Sequence, residues 1–98
     1  MSRKFRIQEY TYKKRWFGKL KRVTQSKFTV CVPSLEMLGF ALRHPLHNVM
    51  GHKFVGGRIS DEFMKPIVSS VWSMCNHQTI FKFEDDNGYI HELIIECE

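Results

Sequence analysis

The sequence predicts an α+β domain in which two antiparallel β-hairpins, four strands in all, flank two short helical segments in the order β-β-α-α-β-β. Three observations carry this. Residues 4 to 32 are β-formers and cations, interrupted once by Phe17-Gly18, a natural hairpin turn. Residues 34 to 75 place apolar side chains at helical spacing behind an N-cap at Ser34 and a second helix start at Ser60-Asp61-Glu62. Residues 79 to 97 turn at Asp85-Asp86-Asn87-Gly88, the strongest local signal in the chain. With 98 residues, 43% hydrophobic and 13% aromatic, residues 1–98 suffice for a single folded domain and not for two.

In the first hairpin a two-residue Phe17-Gly18 loop pairs Trp16 with Lys19, Ile7 with Phe28 and Phe5 with Val30. Because side chains alternate across a strand, Phe5, Ile7, Phe28, Val30 and Val32 then share the core face. The opposite face receives Arg6, Tyr10, Tyr12, Lys14 and Trp16 from one strand, and Lys19, Lys21, Val23, Lys27 and Thr29 from the other.

The first helix starts at Ser34, buries Leu35, Leu38 and Leu42, and is expected to stop at His44-Pro45, since a residue before proline is pushed out of the helical region. Residues 46 to 59 then read as loop, punctuated by Gly51, Gly56 and Gly57. Ser60-Asp61-Glu62 opens a second helix that either kinks at Pro66 or gives way to one running from Pro66 to about Cys75, with Ile67, Val68, Val71, Trp72 and Cys75 inward. In the last hairpin, a three-residue loop with Gly88 left-handed pairs Phe83 with His91 and Phe81 with Leu93. That register gathers Phe81, Phe83, Tyr89, Leu93 and Ile95 on one face. The other face, with Ile80, Lys82, Ile90, Glu92, Ile94 and Glu96, is only half polar and leaves room for a helix or a second protomer. Strand order does not follow from the sequence.

Charge is divided unevenly. Residues 1 to 58 hold 13 of the 15 Lys and Arg against Glu9 and Glu36, whereas residues 59 to 98 hold Lys65 and Lys82 against 8 carboxylates. Such a field draws polyanions to one end of a small domain and repels them from the other. A pI near 9.3 fits nucleic acid as the partner. Three cysteines without framework spacing favour reduced thiols in a cytoplasmic protein, or at most an intermolecular bridge through Cys97, and with no apolar leader and no 18-residue apolar run an unprocessed chain with no membrane partner is expected.

Cations interleaved with aromatic rings are what single-stranded nucleic acid requires, because bases stack on the rings while Lys and Arg take the phosphates. Tyr10, Tyr12 and Trp16 are expected to stack bases, and Arg6, Lys14, Lys19, Lys21 and Lys27 to hold phosphates. Lys13, Arg15 and Arg22 add field from the other face near the hairpin tip. The same residues also serve as ordinary strand formers and as a solvated edge that resists aggregation. RNA is expected over duplex DNA, because no helix is both basic and free of core duty. The leftover apolar content of the last hairpin is compatible with a homodimer.

Two other functions make different demands. A phage-type inhibitor of a nucleic-acid-processing enzyme would put the same cations on an acidic protein partner. A small metal-independent ribonuclease would use Arg43, His44, His47 and His52, with Asn48, in a loop also carrying Lys53 and Arg58. Loop histidines are more economically solvated or capping groups, so no catalytic residue and no cofactor are expected. A zinc site from His44, His47, Cys75 and His77 lacks both CxxC and HExxH spacing.

Overall fold

A computed structural model describes residues 2–14, 20–51, 56, 58–74 and 77–98. The elements are β1 (Arg3–Lys14), β2 (Leu20–Val32), α1 (Leu35–Met50), α2 (Asp61–Ser73), β3 (Gln78–Glu84) and β4 (Tyr89–Cys97), the predicted α+β order. All four strands are antiparallel neighbours in one sheet ordered β2-β1-β4-β3, so the first and last strands form its centre. The pairing of Phe5 with Cys97 and of Ile7 with Ile95 brings the two ends of the chain together.

Alternation decides where the helices pack. Phe5 and Ile7 on β1, Leu93 and Ile95 on β4 and Val32 on β2 are buried on one face, where Leu38, Leu42, Leu46 and Val49 of α1 and Met64, Val68 and Val71 of α2 meet them. Among the described residues no helix covers the opposite, open face. On the helix face, the sheet turns polar beyond Ile7, since Glu9, Thr11 and Lys13 continue β1 while Ser26, Thr24 and Lys21 continue β2. The molecule is accordingly long and thin, 48 × 29 × 17 Å.

Both helices start as expected. Ser34 Oγ accepts from the Met37 amide at 3.3 Å and Ser60 Oγ from the Phe63 amide at 3.2 Å, while Glu36, Asp61 and Glu62 complement the helix dipoles. The expected stop at His44-Pro45 is wrong: α1 runs through Pro45 to Met50, and Leu46 to Met50 are helix and not loop. An internal proline costs about 3 kcal/mol. Burial of Leu46, Val49 and Met50, at about 1.5–3 kcal/mol each, outweighs it. Leu35, expected in the buried stripe, is exposed. Likewise α2 is one helix across Pro66, with Met64, Val68 and Val71 inward, and it ends at Ser73 before Cys75, which lies outside the described residues.

The second hairpin has the predicted register, Phe83 opposite His91 and Phe81 opposite Leu93, with Gly88 at φ 81°. Asp85 builds the turn. Its amide donates to the Tyr89 carbonyl at 2.8 Å, and its Oδ1 accepts from the Asn87 and Tyr89 amides at 2.9 and 3.0 Å. The first hairpin has the predicted register only as far as Thr11, which faces Thr24. A β-bulge between Thr11 and Tyr12 then shifts the pairing to Tyr12 with Arg22, Lys13 with Lys21 and Lys14 with Leu20. One extra residue reverses the alternation of β2 beyond Val23. Lys21, expected on the open face, therefore shares the helix face with Lys13, and Arg22, expected on the helix face, joins the open face. Phe28 faces the helix side as expected but is 39% exposed, because β2 is an edge strand that the helices barely reach.

Candidate nucleic-acid interface

Three of the expected contact residues, Arg15, Trp16 and Lys19, lie outside the described residues together with the Phe17-Gly18 turn. The others divide between the two faces. Arg6, Tyr10, Tyr12 and Lys14 stand on the open side of β1, with Lys27 and Arg22 beside them on β2, whereas Lys13 and Lys21 form a pair on the helix side.

Tyr10 and Tyr12, two residues apart on one strand, stack with ring centroids 6.1 Å apart at 28°. The Arg22 guanidinium lies over the Tyr10 ring, 5.4 Å from its centroid, and donates to Gln25 Oε1 at 2.6 Å. Only the bulge makes this contact possible, since the unbulged register would carry Arg22 through to the other side of the sheet. Tyr10 Oη donates to Gln8 Oε1 at 2.6 Å, which fixes the ring's tilt. Next to it, Arg6, Gln8, Lys27 and Thr29 line a depression of about 280 Å³ with cations on two sides. Two adjacent rings flanked by cations thus lie along the β1–β2 ribbon, the kind of surface that base stacking and phosphate binding would require.

The acidic half of the chain is not at a remote end, contrary to the charge split read from the sequence. Because β4 pairs with β1, its carboxylates run alongside the cations. Arg6 pairs with Glu96 of β4 at 3.5 Å and with Glu98 just after it at 2.9 Å, Lys4 pairs with Glu98 at 3.4 Å, and Lys14 pairs with Glu84 of β3 at 3.0 Å. Tyr12 Oη donates to Glu92 at 3.4 Å, and burial, followed by that carboxylate, pushes the Tyr12 phenol above its usual range. Exposed pairs of this kind are worth about 0–1 kcal/mol, so a phosphate can displace them. The positive field is therefore strongest toward β2, where Arg22 and Lys27 stand away from the acidic strand.

The histidines proposed for a ribonuclease are not gathered in a loop. His44 and His47 are on α1, Arg43 is held by Asp61 at 2.6 Å, and His52 and Lys53 lie outside the described residues. No group of three or more His, Cys, Asp or Glu able to hold a metal occurs among the described residues. Among them, too, no helix is long and apolar enough to cross a membrane.

A polar cleft on the helix face escaped sequence reasoning. Glu9, Thr11, Thr24, Ser26, Asn48 and His91 line about 300 Å³ where the end of α1 overhangs the sheet. Asn48 Nδ2 donates to Glu9 Oε1 and lies against His44 Nδ1, each at 3.3 Å. His91 Nε2 is 2.8 Å from Asp85 Oδ2, and its Nδ1 is 3.4 Å from Thr11 Oγ1. The hydrogen bond from His91, with those from the Tyr89 and Asn87 amides, holds the Asp85 carboxyl below its ordinary range. The available signal was polar residues at alternate positions of β1 (Glu9, Thr11) and of β2 (Thr24, Ser26), which break the apolar pattern set by Phe5 and Ile7.

Compared with known proteins, the chain matches no family model, no curated protein and no solved structure. Function has to be read from the side chains themselves.

Proposed function

We propose that this domain binds single-stranded RNA along the open side of its β1–β2 ribbon. The observation that carries the reading is the Tyr12–Tyr10–Arg22 stack beside the Arg6 and Lys27 depression. Tyr12 offers its outer face to a base, Tyr10 backs that ring, Arg22 caps the stack, and Arg6, Lys14 and Lys27 take phosphates, with Arg6 and Lys14 exchanging a carboxylate partner for a phosphate. Lys13 and Lys21 add field from the other side of the ribbon. A duplex is disfavoured because paired bases cannot stack on a sheet face and, among the described residues, no basic helix is free to enter a major groove.

Titration of a fluorescently labelled single-stranded RNA, followed by anisotropy at two salt concentrations, tests this. Saturable binding is expected, with log affinity falling against log salt by about 0.7 per phosphate neutralised. Absence of binding at low salt refutes the reading and leaves the same cations to an acidic protein partner, as in the inhibitor alternative.

A second reading, self-association through the helical layer, is favoured by a separate observation. Phe40 is 68% exposed and, with the exposed Leu35, lines a groove of about 410 Å³ between the helices, while Met37 and Phe63 are exposed elsewhere on α1 and α2. Glu36 and Arg43 lie on the same α1 stripe on either side of Phe40, so a two-fold axis at Phe40 sets Glu36 of one copy near Arg43 of the other. Sedimentation is expected to give a dimer that Phe40→Glu converts to a monomer. A wild-type monomer at high concentration would refute it.

A further inference from the structure

We propose that the polar cleft on the helix face is a general acid–base site that cleaves RNA, with Glu9 as the base and His91 as the acid. This rests on the RNA-binding reading, since the strand must first be held by the ribbon. The edge strand β2 lines both surfaces, with Lys27 and Thr29 on one and Thr24 and Ser26 on the other, so a strand crossing that edge passes from the stack into the cleft.

Position and chemistry support these roles. Glu9 faces Leu93 and Thr11 faces His91, so the carboxylate and the imidazole are diagonal neighbours on one side of the sheet. Diagonal pairs of this kind are about 7–8 Å apart at the backbone, a separation that leaves space for a phosphodiester between two side-chain heads. Asn48 holds one oxygen of Glu9. Asp85 anchors Nε2 of His91 and thereby turns Nδ1 toward Thr11 and the cleft. Thr11, Thr24 and Ser26 offer hydroxyls to phosphate oxygens, and Lys13 and Lys21 stand one row further out on the same face. The bulge sits beside Thr11, a place where such irregularities often re-aim side chains.

In the step, Glu9 removes the proton from a ribose 2′-hydroxyl and the 2′-oxygen attacks the adjacent phosphorus. The bond from phosphorus to the 5′-oxygen breaks as protonated His91 gives its Nδ1 proton to that oxygen. The products are a 2′,3′-cyclic phosphate and a free 5′-hydroxyl, with Glu9 protonated and His91 neutral. No oxidant, metal or further reactant enters the balance.

The test incubates the whole chain with a 5′-labelled single-stranded RNA in chelator, resolves the products, and measures binding of the same RNA by anisotropy. Fragments ending in cyclic phosphate are expected, with none from the all-deoxy strand. Glu9→Gln, which is isosteric, and His91→Ala are each expected to slow cleavage about 10²–10⁴-fold with RNA affinity little changed. Glu9→Gln keeps the test valid should His91→Ala disturb the Asp85 turn. Binding without cleavage overturns the catalytic proposal and leaves the binding reading intact. Cleavage that survives in both variants overturns it as well. Absence of binding overturns both.

Discussion

Replacing Tyr10 by alanine removes the centre of the proposed stack without changing charge. In the structure the Tyr10 ring has Tyr12 at 6.1 Å and the Arg22 guanidinium at 5.4 Å, so its loss removes the ring that backs the Tyr12 base platform and the surface that holds Arg22 in place. A stacked base contributes about 1–3 kcal/mol, so affinity for single-stranded RNA is expected to fall roughly 5- to 150-fold. Tyr10→Phe keeps the ring and loses only the bond to Gln8, a change of about threefold or less. Anisotropy with an RNA of about 12 nucleotides, within the usual span of such sites, reads both variants. The salt slope should stay at the wild-type value for Tyr10→Ala and become shallower for Lys27→Ala, because only the second releases fewer counterions. A double-mutant cycle of Tyr10→Ala with Arg22→Ala should be non-additive, since the ring and the guanidinium touch. Wild-type affinity in Tyr10→Ala, or a flattened slope there, would refute the stacking role.

Glu96→Gln should strengthen RNA binding, because it frees Arg6 from one competing carboxylate, and a weaker complex in the same titration would count against the open face. Leu42→Ala, at a fully buried position of α1, should cost about 2–5 kcal/mol in urea unfolding. Gly88→Ala places a side chain in the left-handed region at φ 81° and should cost about 1–2 kcal/mol by the same measurement. The Asp85 carboxyl is held below its ordinary range, so its contribution to stability is complete above the ordinary aspartate value and is lost as the pH falls through the lowered one. The melting temperature should drop in that acidic window, and the drop should shrink in Asp85→Asn.

Local chemistry was legible wherever it was decided locally. Ser34 and Ser60 announce their helices because a hydroxyl can satisfy an otherwise unpaired amide three residues on. The register of β3 and β4 followed from asking which loop length collects Phe81, Phe83 and Leu93 on one face. What escaped depends on distant contacts. The helix continues through Pro45 because Leu46 and Val49 reach a sheet that forms elsewhere in the sequence. The bulge beside Tyr12 has no glycine to mark it, yet it decides which of Lys21 and Arg22 joins the tyrosines. Glu9 and His91, which lie far apart in the chain, line one cleft only because β4 pairs with β1, an order that no local pattern encodes.

That same central pairing governs how the molecule is assembled. Each hairpin joins residues close in sequence and can form in microseconds, whereas β1 and β4 join Phe5 to Cys97 and must close nearly the whole chain. Both hairpins and both helices can therefore exist in outline while the sheet still has a seam down its middle. Until it closes, the inner edges of β1 and β4 offer unpaired backbone to any other strand nearby. The cations of β1 and the carboxylates of β4 then have a second effect, because each edge repels a copy of itself and attracts the other.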